Sequence, residues 1–532
     1  LGVGTESQQH GAADKAQIVR AAGLVMILFI VSRALGLLRE MVISHQFGTG
    51  GDLDAYLAAF RLPDILFQIV AGGALASAFI PTFAGYLAQE DETGAWRLAS
   101  AIINLVLLVT ASLAALAALL APWLVSMIIA PGFAPARQVL TTNLMRTMLI
   151  TPVVFGISGV LMGILNARQH FVLPALAPIL YNLGIIGGAM VLAPTEGVGG
   201  LALGVVGGAL GHLLVQLPGL VRHGMRYTPT LGLGNLGVHE VGRLMLPRML
   251  GLAAVQLNFL VNTILASGLA PGSLAALNYA WLLMLLPQGV FAQAVATAAF
   301  PTFSEQAARG RQAEMRSTLA ATLRAVLYLS VPAAAGLLVL RIPLVQLLFE
   351  RGAFTETSTL MVAQALALYA MGLPAHCLVE IVVRAFYALH DTKTPVAVSV
   401  AGMGLNIILS LAFLAMFEAR NWLPHGGLAL SNSLATAVET AVLLALIRRR
   451  LGGLEGNRMA ASLARIGLST AIMAGVAGAV AWLLAGTSPW LAGGLALALG
   501  AAEYGALSLA LGAPEPWAVW SIVRPGGRRE RA

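Results

Sequence analysis

Charge is what this chain has least of. Only 10% of its 532 residues are Asp, Glu, Lys or Arg, against roughly 25% in ordinary water-soluble domains. That shortage excludes a protein surrounded by water on every face. Cysteine is nearly absent: Cys377 stands alone, which excludes an intrachain disulfide and any CxxC metal site and leaves helix packing as its role. There is no GxxxxGK[ST], so ATP hydrolysis on this chain is not expected. HExxH is missing too, and no Ser-His-Asp grouping or extramembrane catalytic domain is legible. These absences point to a carrier, with no catalytic residue, metal or cofactor. A cleaved signal is not evident either, because the apolar run from Ile18 leads into Arg33 and onward through further spans.

What the chain does have is apolar length. It is 58% hydrophobic with a mean hydropathy of +0.84, and runs of about 20 apolar residues recur throughout, as membrane-spanning helices require. A transmembrane β-barrel would alternate apolar and polar residues in segments of about 10, and that pattern is absent. The expected fold is an all-α polytopic membrane protein. Its spans fall near 18–46, 52–87, 95–130, 137–166, 173–193, 199–222, 240–268, 273–304, 316–348, 357–389, 394–417, 425–448, 460–485 and 488–512, about fourteen in all. A net charge of +8 could suit nucleic acid, but loop topology explains it better. With the N-terminus inside, Lys15, Arg20, Arg97, Arg168, Arg222, Arg226, Arg309, Arg311, Arg316, Lys393, Arg448–Arg450, Arg458 and the tail arginines share one side. Only Arg137, Arg341, Arg351 and Arg420 fall on the other. Both termini are therefore expected in the cytoplasm.

The sequence also repeats. Phe79-Ile80-Pro81-Thr82-Phe83 returns as Ala299-Phe300-Pro301-Thr302-Phe303, Pro131-Gly132-Phe133 is echoed by Arg351-Gly352-Ala353-Phe354, and Ala167-x6-Pro174 returns as Ala388-x6-Pro395. The offset is 220 or 221 each time. A shift of six helices preserves orientation, so two parallel lobes are expected, related by an axis along the membrane normal with a site between them. The division is a cytoplasmic segment 1–17, an N-lobe 18–222, a C-lobe 223–450, two appended helices within 451–512 and a basic cytoplasmic tail 513–532.

Where charge does occur inside the apolar runs it is concentrated. Ser32 to Pro81 holds Arg33, Arg39, Glu40, Asp54, Arg61 and Asp64. An intramembrane charge costs from a few to over ten kcal/mol and usually marks a pathway or site. Arg33 and Glu40 are seven apart and share a helix face to within ~20°, as do Asp54 and Arg61. Glu40 and Arg61 each sit about seven residues from the turn Gly48-Thr49-Gly50-Gly51, so a meeting at one depth is expected. Arg39 lies ~120° from Arg33 on an unbroken helix; both reach one cavity only if the helix bends, and Gly36 is the place for it. Two readings fit: a cationic cavity for an anionic group, suited to the arginine fork, or ion pairs locking the first two helices with some ends snorkelling. Arg146, Arg248 and Arg384 are further cavity candidates, although Arg248 also suits the cytoplasmic interface and Arg384 can pair with Glu380 four residues away. Asn182, Asn258, Asn262 and Asn406 read as interhelical glue. His45 and His376 read as structure.

The segment SRALGLLREMVISHQFGTGGDLDAYLAAFRLPDIL resembles the first two helices of the bacterial lipid II flippase family MurJ (formerly MviN), whose pattern is close to S-R-x-L-G-x-x-R-[DE], F-G-x-G, D-A-[FY] and F-[RK]-[IL]-P. LFERGAFTETST and LPAHCLVEIVVRAFYALHDTKTPV resemble that family's second lobe, and the likeness runs from about 18 to 512. The resemblance implies membership of the multidrug/oligosaccharidyl-lipid/polysaccharide exporter superfamily and a two-lobe, alternating-access transporter of the bacterial inner membrane. Its cargo would be undecaprenyl-pyrophosphate-linked peptidoglycan precursor. It implies that Arg33, Arg39, Glu40 and Arg61 bind the headgroup and that Asp54, with a bend near Gly36, serves the gate. A lipid-linked oligosaccharide and membrane lipids are then the partners, with no nucleic acid. The protein is expected to be a monomer driven by membrane potential or a Na+ or H+ gradient. Three departures stand out. Phe67-Gln68 replaces a common arginine pair, Ala71-Gly72-Gly73 replaces a glutamate, and Tyr279-Ala280-Trp281-Leu282 replaces a Y-A-D-R-like stretch. They leave open an exporter of another polyprenyl-linked glycan; a non-transporting scaffold would need no charged cavity at all.

Overall fold

A backbone crossing lipid has no water to bond to, so an apolar run must satisfy its own N–H and C=O groups, and a helix does this within one segment. The structure, a computed structural model, describes residues 3–70, 74–484, 486 and 488–517. Among these there is no strand. Eleven helices are long and apolar enough to cross a membrane. The remaining expected spans, 18–46, 52–87 and 240–268, also fold as helices, but the first two carry the intramembrane charges. Large apolar side chains such as Leu119, Val191, Val221 and Trp482 are more than 70% exposed, as lipid-facing surface requires.

The chain divides into two units, Leu1–Pro271 and Gly272–Ala532. The principal helices of the first are α1 (Val3–Phe47), α2 (Gly51–Val70), α3 (Ala74–Ala88), α4 (Glu92–Leu119), α5 (Pro135–Met148), α6 (Ile150–Ala167), α7 (Val172–Gly187), α8 (Val198–Leu214) and α9 (Leu236–Ser267). The second contains α10 (Ser273–Gln288), α11 (Ala294–Ala308), α12 (Gln312–Val339), α13 (Arg341–Phe349), α14 (Glu356–Ala388), α15 (Lys393–Ala419), α16 (His425–Arg450), α17 (Gly456–Leu483) and α18 (Pro489–Ala510). Residues 71–73, and most of the basic tail, lie outside the described residues.

The compact units part at 271/272, whereas the duplication places the lobe boundary at 222/223. The difference is α9. It opens the second copy of the repeat but is bonded along its length to the first unit. Tyr86 Oη donates to the Asn235 side chain (3.1 Å), Gln256 to Asp64 (3.3 Å), Arg61 Nε to Thr263 Oγ1 (3.1 Å), and Gly132 N–H to Ser267 Oγ (3.1 Å).

The duplication is visible in the backbone. His170 N–H bonds to Leu165 C=O, and 221 residues later Asp391 N–H bonds to Phe386 C=O. Gln169 and His390, within those turns, both have φ of 58°. Asp91 to Tyr86 and Arg311 to Gln306 repeat at 220. Pro81 and Pro301 each sit inside a helix, in α3 and α11.

Candidate functional site

The intramembrane charges of the first unit are built on α1 and α2 and completed by α7 and α9. On α1, Arg39 donates to Glu40 Oε1 through Nε (3.1 Å) and Nη2 (2.5 Å), and to Asn182 Oδ1 on α7 through Nη1 (3.1 Å). Asn182 is fixed in turn by Nδ2 bonds to the carbonyls of Pro178 (3.1 Å) and Ser32 (3.4 Å). Glu40 is only 8% exposed. Tyr56 and Tyr181 are near enough to Arg39 to interact electrostatically. A buried carboxylate is tolerable only with this degree of pairing. Asn182 orients the guanidinium, because an amide oxygen takes one arm of the fork while Glu40 holds the other.

The second cluster lies on α2. Arg61 donates to Thr263 and lies 5.6 Å from the Phe259 ring centroid. Asp64 accepts from Gln256 (3.3 Å) and is bonded to Gln68. The expected meeting of Glu40 with Arg61 is not the arrangement found. Glu40 turns to its neighbour Arg39, and Arg61 is drawn to the hydroxyl and ring that α9 supplies 202 and 198 positions along the chain.

The other expected positions divide. Arg33 is exposed and lies 5.2 Å from the ring of Phe29, one turn back on α1. The Arg39 pair is therefore assembled apart from it. α1 runs unbroken through Gly36, and a Cβ placed there would meet nothing within 4 Å. Asp54 occupies the first turn of α2 and is 2% exposed, where the helix dipole favours a carboxylate. Arg146 is exposed and donates to Ala118 C=O (3.0 Å), closing the end of α4. Arg384 sits in the second unit, paired with Glu380 (2.6 Å) and bonded to Gln293 (3.0 Å). The Arg248 side chain lies outside the described residues.

Phe67, standing where a cation is common in the resembled family, packs on Phe155 with centroids 4.9 Å apart. Phe155 also meets Tyr181 and His212, each at 5.1 Å. Trp281 does the same in the second unit, against Tyr369 (5.2 Å) and His376 (5.5 Å). Apolar rings thus fill these places. The second unit also has a partly open apolar cavity of about 530 Å³ lined by Tyr328, Pro332, Leu340, Met473, Ala496 and Tyr504.

Residues 43–499 match the family model described as "Lipid II flippase MurJ". The chain belongs to the lipid II flippase MurJ family. It is 32% identical to "Lipid II flippase MurJ" of Burkholderia cenocepacia over 81% of this chain and 84% of that protein. It is 29% identical to "Probable lipid II flippase MurJ" of Vibrio cholerae over 93% and 96%. A solved structure, "Lipid II flippase MurJ, inward closed conformation", superposes with a TM-score of 0.75 at 25% identity, covering 91% of this chain and 98% of that one. A multidrug resistance MATE family transporter of the MOP superfamily, inward-facing, shares the fold at a TM-score of 0.67 and 16% identity. This MurJ-family chain is a multi-pass, all-helical membrane protein, as its composition predicts.

Asn182 is the interhelical glue expected of it, joining α7 to α1 through Arg39 and Ser32 C=O, whereas the parts of Thr263 and Gln256 were not legible in the sequence. A signal existed for Asn182: a side-chain amide in a strongly apolar run needs a partner in lipid, and the nearby arginines are candidates.

Proposed function

We propose that this protein moves lipid II, a polyprenyl-pyrophosphate-linked muropeptide, from the inner to the outer leaflet of a bacterial plasma membrane by alternating access. The observation that carries this reading is the Arg39–Glu40–Asn182 network, in which Glu40 and Asn182 are buried and Arg39 half-buried. An arginine held by one carboxylate and one amide keeps donors for a phosphate oxygen. Phosphate arrival then competes with Glu40 for the guanidinium, which makes binding reversible. Arg61 adds a second cation, Arg33 attracts the headgroup from the exposed face of α1, and Asp54 serves the gate. The apolar cavity beside α17 and α18 suits a stretch of polyprenyl tail. No bond of the cargo is made or broken. Both termini are cytoplasmic, the transporter acts as a monomer, and an ion gradient or the membrane potential drives it.

A second reading is favoured by Phe67 and Trp281. Rings in those places suit another polyprenyl-linked glycan with fewer anionic groups. Complementation in cells depleted of their own lipid II flippase separates the two. The wild-type protein is expected to restore growth and outer-leaflet lipid II, and Arg39→Ala to fail at equal expression. A well-expressed wild type that leaves lipid II inside would refute the first reading.

A further inference from the structure

The carboxylates within the spans differ in how they are balanced. Glu40 has Arg39, Glu380 has Arg384, and Asp64 has Arg61 one turn away. Glu439 has no such partner: among the described residues no cationic nitrogen lies within the 4.0 Å of an ion pair. It is half-buried near the middle of α16, roughly 13 Å along the helix from Arg448, the first arginine of its last turn, at 1.5 Å per residue. Its one described bond comes from α15, where Ser399 Oγ donates to Oε1 at 2.5 Å. Gly402, one turn further along α15, opens the space beside the other oxygen. A Cβ there would stand 3.2 Å from Oε2. Among the described residues Glu503 on α18 also has no cation within ion-pair distance, but no hydroxyl bonds to it either.

The ionisable groups on the helices packed against α16 are engaged elsewhere. On α14, His376 bonds to Asn432, Arg384 pairs with Glu380, and Cys377 is influenced by Glu380. Tyr369 meets Trp281 edge to face, Tyr279 on α10 packs with Phe349 and Phe354, and Tyr387, Lys393 and Glu418 stand near the ends of α14 and α15. An unbalanced carboxylate at this depth is costly as an anion and marks a functional site.

We propose that Glu439 is a proton-binding site through which a proton gradient drives transport, with Ser399 as its positioning residue. This rests on the transport function proposed above. The donor set favours a proton over a metal cation, since one carboxylate and one hydroxyl fall short of the six or so oxygens a hard cation takes. Proton uptake needs only a reversal of the short bond. The anion accepts from Ser399; once a water-borne proton occupies the carboxyl, its O–H donates to Ser399 Oγ. The serine hydroxyl then turns to a carbonyl one turn back, as Thr440 does to Thr436 C=O at 2.7 Å. The charge lost on protonation lowers the cost of moving α15 and α16 relative to lipid or water.

The test uses the full chain in proteoliposomes. Infrared spectra over a pH series are expected to show a carboxyl band that grows on acidification, is absent from Glu439→Gln, persists in Glu439→Asp and shifts in Ser399→Ala. Fluorescent lipid II is expected to cross faster when a proton gradient is imposed on wild type. In Glu439→Gln its rate should stay at the no-gradient level, with lipid II binding unchanged. The proposal is overturned if Glu439→Gln keeps every carboxyl band, if its response to the gradient equals wild type, or if a sodium gradient substitutes for the proton gradient. Should wild type move no lipid II under any gradient, the transport reading fails. The infrared titration still decides whether Glu439 takes up a proton.

Discussion

Helices α7 and α8 of the first unit touch through glycine, whereas their repeats α15 and α16, which begin 221 and 227 residues on, are joined by hydroxyls. A Cβ added to Gly184 of α7, or to Gly188 just past its end, would come within 2.3 Å of the Gly208 Cα or 2.5 Å of the Gly204 Cα, so the two backbones are as close as glycine allows. At the corresponding positions of α15 the side chains are Leu405 and Leu409. There Ser410 and Ser431 share a 2.7 Å bond and Ser399 holds Glu439. One helix pair therefore associates by close packing and its duplicate by polar side chains, the two means open to helices in lipid. The charges diverge in parallel: at the 220-residue offset of Pro81 and Pro301, Arg61 of α2 falls on Trp281 of α10. Duplication preserved the turns and left the intramembrane chemistry free to specialise, because turn geometry is set by local backbone and the charges by whatever partner lies across the helix.

The largest effect expected from breaking this contrast is at Arg39. Arg39→Ala leaves Glu40 buried without its cation, a loss of about 3–5 kcal/mol, read as a lower thermal midpoint in detergent together with loss of complementation. Replacing both residues by apolar ones should recover much of the stability and none of the transport. Next is Gly204→Leu, which drives a side chain into α7 and should cost about 1–3 kcal/mol. Hydrogen exchange would locate the loosening in α7 and α8, and an unchanged pattern there would remove the close-packing account. Ser410→Ala in the second unit should cost only about 0.6 kcal/mol, measured the same way. Arg146→Ala removes one exposed bond to Ala118 and should cost about 1 kcal/mol or less, with transport retained; loss of transport at normal expression would return Arg146 to the cavity.

The smallest effect is at the duplicated turns. Asp391 accepts from the Thr394 backbone N–H (3.0 Å), the Thr394 hydroxyl (2.8 Å) and Arg450 (2.6 Å), which hold its carboxyl below the usual carboxylate range. Its contribution is full above the ordinary value near 4 and is lost as pH falls through the depressed one. The equivalent residue in the first unit is His170, whose ring meets His223 at 5.8 Å. Burial and then Arg168 hold His223 below its ordinary 6.5, so folding there weakens as pH falls below that value. Amide exchange on a pH series should loosen the 168–172 turn first and the 389–393 turn only in stronger acid.

Helix placement was legible because it depends on local composition: spans expected at 95–130 and 425–448 appear as α4 with its short extension and α16. The repeat was legible for the same reason, as prolines and glycines mark turns wherever they fall. Pairings were not. Arg39 finds Asn182 at a separation of 143 residues and Arg61 finds Thr263 at 202, distances over which periodicity carries no information. Glu439 carries a sequence signal of its own: mid-helix, with Ala435 and Leu443 four residues either side, it has no cation within helical reach.

By itself the sequence determined that this protein lives in lipid, crosses it many times as helix, was built by duplication, and concentrates charge in α1 and α2. Hydropathy, helical period and turn residues are properties of neighbouring positions, and they act before distant parts of the chain meet. Only the tertiary structure decided that Glu40 answers to Arg39 and not to Arg61, that α9 packs with the first unit, and that Glu439 faces a serine. In a low dielectric each charge is satisfied by the nearest polar group, and which group is nearest depends on how the helices pack.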